Sequence, residues 1–178
     1  GEPARRFTIM EMPSLVTRAW FVDVPARRGL PALEPGSPVL PEDLQWLEGQ
    51  VEPGDAIVVR TGRYATRVVR PDDPDAGDDH GNWSGLHVDC MDLVSRWDLS
   101  TVATDSSGDN FPSTTPECSV PIHILTEVYI GLPLIHHLDL EPIAQRMASR
   151  GSAAFMLVVA PLQVVGGTGS PVSPTALV

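Results

Sequence analysis

Three observations predict a single α/β domain. Four short apolar runs recur along the chain, at 19–24, 55–61, 99–104 and 153–160. Stretches with the apolar spacing of helices fall between them. Proline and glycine clusters separate the two kinds of segment, and 178 residues is one domain's worth of chain.

Residues 19–24, AWFVDV, form an apolar run closed by Pro25 and read as a buried strand. Residues 27–41 carry four prolines and two glycines, which predicts a loop. Pro41, Glu42 and Asp43 then place a proline and two carboxylates where a helix N-terminus favours them, ahead of Leu44, Leu47 and Val51. Residues 55–61 predict a second strand. Residues 70–83, RPDDPDAGDDHGNW, are the most polar stretch and predict a mobile surface excursion. From 83 to 97, Leu86, Cys90, Met91, Leu93 and Val94 have the spacing of an amphipathic helix. A third strand at 99–104 leads into a loop at 106–119, rich in Ser, Thr and Pro. Helices are predicted at 121–130, with Pro121 in the first turn, and at 140–149. Two closing strands are predicted at 153–160 and 162–165.

Acidic residues outnumber basic ones by 23 to 12, giving a formal charge of −11. Such a field repels phosphate backbones and anionic membranes, so neither nucleic acid nor membrane is expected as a partner. Every basic residue is an arginine, which excludes a lysine nucleophile or Schiff base. No run of eighteen apolar residues exists to span a bilayer. GEPARRF has no apolar core of a secretory signal, so a cytoplasmic location is expected. Cys90 and Cys118 are too few for a disulfide framework or zinc knuckle and read as indifferent thiols.

The candidate chemistry lies in the last two-thirds. His123 stands near the start of a predicted helix, and His136 and His137 follow a short apolar run. In an extended segment neighbouring side chains face opposite sides, so one of the pair faces a pocket and the other does not. Asp105 ends the third strand, where α/β proteins present functional groups. Arg60-Thr61-Gly62-Arg63 leaves the second strand in the same way and suits a substrate carbonyl or carboxylate. The plainer alternatives are turn capping for Asp105 and the arginines, and histidines that are surface-exposed, capping or satisfied by backbone carbonyls. Gly166-Gly167-Thr168-Gly169-Ser170 lacks the lysine and helix of a phosphate loop, and no serine lies in a nucleophile elbow.

Taken together, several segments resemble the cyclase family, the metal-dependent hydrolases related to bacterial kynurenine formamidase and isatin hydrolase. The C-terminal half carries most of the likeness: PIHILTEVYIGLPLIHHLDLEPIAQRM at 121–147 and AAFMLVVAPLQVVGGTGSPVSPTALV at 153–178. Upstream, RFTIMEMPSLVTRAWFVDVP, Leu33-Glu34-Pro35-Gly36 and Leu40-Pro41-Glu42-Asp43-Leu44 match in order. So do the stretch from Gly54 to Gly62, Trp83-Ser84-Gly85-Leu86 and Val102-Ala103-Thr104-Asp105-Ser106. Two departures stand out. His136 occupies the position at which the family carries a glutamate. The family's His-x-Gly-Thr-His-x-Asp-x-Pro-x-His signature, which supplies most metal ligands, would precede residue 6 and is not present. The two His-x-Asp steps, at His87 and His137, do not follow a Gly-Thr.

The resemblance implies one cyclase-type domain over 1–178, of the kynurenine formamidase-like, swivelling β/β/α kind, apparently without its N-terminal metal-binding segment. It implies a metal-dependent hydrolase of small amides, cyclic amides or lactones, similar to an arylformamidase. His123 and Asp105 would be catalytic, Arg60, Thr61 and Arg63 substrate-binding, and His123 and His136 metal ligands. Imidazole serves a single zinc or manganese but, when neutral, does not bridge two metals as a carboxylate does. Two histidines fall short of the three protein ligands of a catalytic site. Zinc or manganese is therefore expected only with the upstream segment, and otherwise none or weak binding. A small-molecule substrate and a homo-oligomer are the expected partners. The alternatives are a ring-closing cyclase in aromatic polyketide biosynthesis and a non-catalytic relative without the metal site.

Overall fold

Parallel pairing of four consecutive strands places their carboxyl ends along one side of a single sheet. The computed structural model describes residues 8–66 and 81–178. The polar stretch at 70–80 lies outside the described residues. Six strands, β1 (Leu15–Asp23), β2 (Ala56–Arg60), β3 (Thr101–Thr104), β4 (Leu134–Ile135), β5 (Ala154–Val159) and β6 (Thr175–Leu177), make a mixed sheet in the order β4-β3-β2-β1-β5-β6. β1 to β4 run parallel, whereas β5 pairs antiparallel with β1, and β6 with β5. The four apolar runs of the sequence thus share one sheet, as an α/β reading requires.

Alternation along the strands sends side chains to two buried layers. Val22, Ile57, Val59 and Val102 face a layer built with Leu44, Leu47, Leu93, Val94 and Ile122. Ala19, Phe21, Ala56, Val58 and Ala103 face the other, with Ala144, Met147, Phe155 and Leu157. Every residue of β2 and β3 is buried, which is why these strands read as unbroken apolar runs.

Several boundaries differ from expectation. β1 begins at Leu15 rather than 19, because Leu15 to Trp20 pair with β5. Thr17 and Arg18 in that extension are not apolar, so no apolar run marks it. Pro25 does not simply close β1. It lies in the first turn of helix α1 (Val24–Arg28), where its fixed φ fits, with the Asp23 carboxylate accepting from Ala26 N at 3.1 Å and Gly29 ending the turn at φ 71°. Helix α2 (Pro41–Leu44) starts where expected and tightens into a 3₁₀ turn, and α3 (Arg63–Thr66) follows β2.

The helix expected at 83–97 is confined to α4 (Met91–Arg96) and a preceding 3₁₀ turn (Val88–Cys90). Residues 83–86 are instead extended, with Trp83 bridged to Phe111 and Leu86 to Val39 and Asp109. Gly85 makes that possible, since a Cβ there would lie 2.2 Å from the carbonyl oxygen of Asp109. α5 (Pro121–His123) continues into a wide π-helical stretch, Ile124–Ile130, and α6 spans Glu141–Met147. Residues 162–165 are not a strand; the sheet closes with β6. Among the described residues no helix is long and apolar enough to cross a membrane.

Candidate metal centre

The loop leaving β3 is strapped down by the extended 83–86 segment. Ser106 Oγ donates to the Ser84 carbonyl, Leu86 N to Gly108 O at 2.8 Å, and Trp83 and Phe111 exchange both backbone bonds at 2.8 Å. This brings Asp109, only 2% exposed, beneath the start of α5. Its carboxylate accepts from Ile122 N at 2.6 Å and His123 N at 3.4 Å, while Pro121 has no N–H to satisfy. The same carboxylate binds His123 Nδ1. That bond raises the His123 pKa above its ordinary value and keeps the proton on Nδ1, leaving Nε2 as the outward-facing nitrogen.

His136 reaches the same place from the end of β4. Its ring stacks on His123 with centroids 4.8 Å apart and planes 22° from parallel. Gly108, at φ 94°, supplies the room, because a Cβ there would sit 3.3 Å from His136 Cε1. His136 Nδ1 is buried with no hydrogen-bond partner. Burial, then the neighbouring His123 and His137, push its pKa down to about 4, so the ring is neutral at pH 7. Glu127, four residues past His123 on the same helix, completes a convergence: the ligand atoms of His123, Glu127 and His136 all lie within 4.8 Å of one another. His137 is exposed, with φ 55°, and stands outside that trio; its backbone N–H donates to Ser106 O and its carbonyl accepts from Tyr64 Oη.

The other expected site residues have different surroundings. Asp105 is fully buried, and its carboxylate accepts from Thr61 N (2.9 Å), Thr61 Oγ1 (2.8 Å), Gly62 N (2.8 Å) and Arg63 N (3.2 Å). Burial raises its pKa, and these donors offset part of the rise. Arg60 is a structural hub: Nε and Nη2 donate to Glu141, Nη1 to Asp23, each at 2.9 Å, and Nη2 also to Pro31 O at 3.3 Å. Its guanidinium thereby ties the ends of β1 and β2 to the start of α6, rather than presenting a free fork to a ligand.

The structure therefore unites His123 and His136 and gives Asp105 and Arg60 internal partners. Two further groups, Asp109 and Glu127, received no role from the sequence. Glu127 is signalled by its spacing from His123, since positions i and i+4 share a helix face. Asp109 closes the Asp105-Ser106-Ser107-Gly108-Asp109 run, but only the fold shows that the second aspartate meets the histidine. Elsewhere, His87 Nδ1 accepts from Asp89 N at 3.2 Å and Asp139 from Glu141 N at 3.1 Å, both in capping roles. Burial pushes the Cys90 thiol up to about 12, which makes it inert.

A mixed α/β sheet with an imidazole and carboxylate cluster at its parallel strand ends defines a candidate metalloprotein. No family model matches the sequence, and no curated protein matches it either. Solved structures do, and the fold is that of the cyclase family. A protein described as a novel cyclase shares 27% identity over 90% of this chain, with a TM-score of 0.77. An isatin hydrolase bound to the product analogue thioisatinate shares 18% over 92%, TM-score 0.68. A potential metal-dependent hydrolase with cyclase activity shares 15% over 99%, TM-score 0.62, and 70% of its own length is covered. The chain spans 52% and 60% of the length of the first two.

Proposed function

We propose that the chain serves a metal-dependent hydrolase acting on small amides, cyclic amides or lactones. The observation that carries this reading is His136, a neutral imidazole with a buried, unfilled nitrogen, stacked beside a His123 whose outward nitrogen is set by Asp109. An oriented imidazole backed by a carboxylate is the usual arrangement of a metal-ligating histidine. His123 and His136 fit zinc or manganese, and an acidic chain favours cation uptake. A bound divalent cation supplies Lewis acidity, polarising a carbonyl and acidifying water at the site.

The chain's own residues do the rest. Asp109 holds the proton of His123 on Nδ1. Asp105 acts as a positioning group that fixes the 61–63 turn, from which Arg63 is the substrate-facing candidate. The hydrolase and cyclase neighbours support the reaction class. A homo-oligomer is part of the reading, supported by exposed apolar residues such as Val16, Met156 and Leu177 along β1, β5 and β6. The test is hydrolysis of an N-aryl formamide, a cyclic amide and a lactone before and after chelation. Turnover that disappears with chelator and returns with zinc or manganese is expected. Turnover indifferent to the chelator, or none with metal bound, would contradict the proposal.

A further inference from the structure

We propose that Glu127 is a direct metal ligand, so that His123, Glu127 and His136 together hold one divalent cation with a coordination position left open. The inference rests on the metal-dependent reading above and deepens it by naming a complete ligand set within these residues. Counting His123 and His136 alone leaves the site short of three protein ligands. The fold removes that shortage.

Reach comes first. Two donors on one zinc, each at about 2.1 Å, lie no more than about 4.2 Å apart. The three residues here place ligand atoms within 4.8 Å of one another, and the exposed Glu127 side chain closes the remainder by rotation. Chemistry comes second. Two imidazoles and one carboxylate form one of the donor sets that hold a catalytic zinc while leaving a position for a reactant. Elimination comes third. Asp105 is filled by Thr61, Gly62 and Arg63, Asp109 stands behind His123, and Asp139 caps α6. Among the described residues, Glu127 is the carboxylate left beside the two rings. The helix that carries it widens into π geometry across Ile124–Ile130, a distortion that recurs at functional sites.

The experiment is a cobalt(II) titration of the chelator-stripped chain, read by visible absorption and competition with a chromophoric chelator, with circular dichroism to confirm folding. Wild type should take up one equivalent. Glu127→Gln should stay folded and bind at least about tenfold more weakly, since even outer-shell losses cost 10–100-fold. His137→Ala should bind as wild type. If Glu127→Gln binds as tightly as wild type while His123→Ala does not, the inference is overturned and the hydrolase reading stands. If the wild-type chain binds no cobalt, this inference is overturned, while the hydrolase reading stands or falls on the chelation assay above. One equivalent held through Glu127 without any hydrolysis leaves this inference upheld and refutes the hydrolase alone.

Discussion

Two charged clusters sit at the carboxyl ends of the parallel strands, and they differ in one decisive respect. Around Arg60 the matching of groups is nearly complete. The guanidinium meets Asp23, Glu141 and the Pro31 carbonyl, and next to it Asp105 gathers the N–H groups of the β2 exit turn. Around His123 the matching stops at the inner side: Asp109 fills Nδ1 and His136 Nδ1 is left without a partner, while ligand atoms of His123, His136 and Glu127 lie within 4.8 Å of one another. The two clusters thus differ in unfilled donor capacity rather than in charge.

The largest effects should separate the clusters cleanly. Arg60→Met leaves Asp23 and Glu141 without their partner. The arginine side chain is 8% exposed and the two carboxylates 23%, so a loss of about 2–4 kcal/mol is expected in urea denaturation. Metal uptake per folded molecule should not change; a variant that folds but loses its cation would erase the distinction. Asp105→Asn puts an amide NH₂ against backbone N–H groups and should cost about 1–3 kcal/mol by the same measurement. Wild-type stability would show that the turn holds itself.

On the other side, Asp109→Asn should weaken zinc affinity about 10–100-fold in calorimetric titration, because His123 loses the group that sets its tautomer. An unchanged affinity would mean that the histidine is oriented by packing alone. Without metal, the two stacked rings should titrate on opposite sides of 6.5, His136 near 4 and His123 above its ordinary value. Between pH 6.5 and 4 the unfolded chain binds a proton that folded His136 refuses, so its contribution to stability falls as pH drops through that window. His123 works in the opposite sense, its contribution being present below 6.5 and lost as pH rises through its folded value. Ring carbon-bound proton shifts in an NMR titration check both, and two coincident values near 6.5 would contradict the stacking. The smallest effect on the metal site belongs to His137→Ala, which should leave zinc affinity unchanged within error.

Much of this was legible in the sequence for reasons of pattern. Fully buried parallel strands such as β2 and β3 must be apolar throughout, so they announce themselves. β4 could not, since two residues after Pro133 carry no periodicity. Pro25 read as a stop because proline ends strands and opens helices with equal ease. In the site, His123 and His136 were visible as chemistry-bearing residues; extended geometry showed that only one of His136 and His137 could face a pocket, and the family resemblance favoured His136. Asp109 was not, because its role depends on Gly85 letting the 83–86 segment press the β3 exit under α5. The partners of Arg60 were equally hidden: a strand-end arginine suits a substrate carboxylate, and only the fold brings Glu141, 81 positions away, to its guanidinium.

The central claim is that the histidine cluster, with its carboxylate, is the metal centre. X-ray absorption at the zinc edge of the chelator-stripped and zinc-reloaded chain addresses it most directly. Two imidazoles identified by their outer-shell scattering, with oxygen completing the shell and no sulfur, are expected. A shell with fewer than two imidazoles, or one containing a thiolate sulfur, would contradict the account.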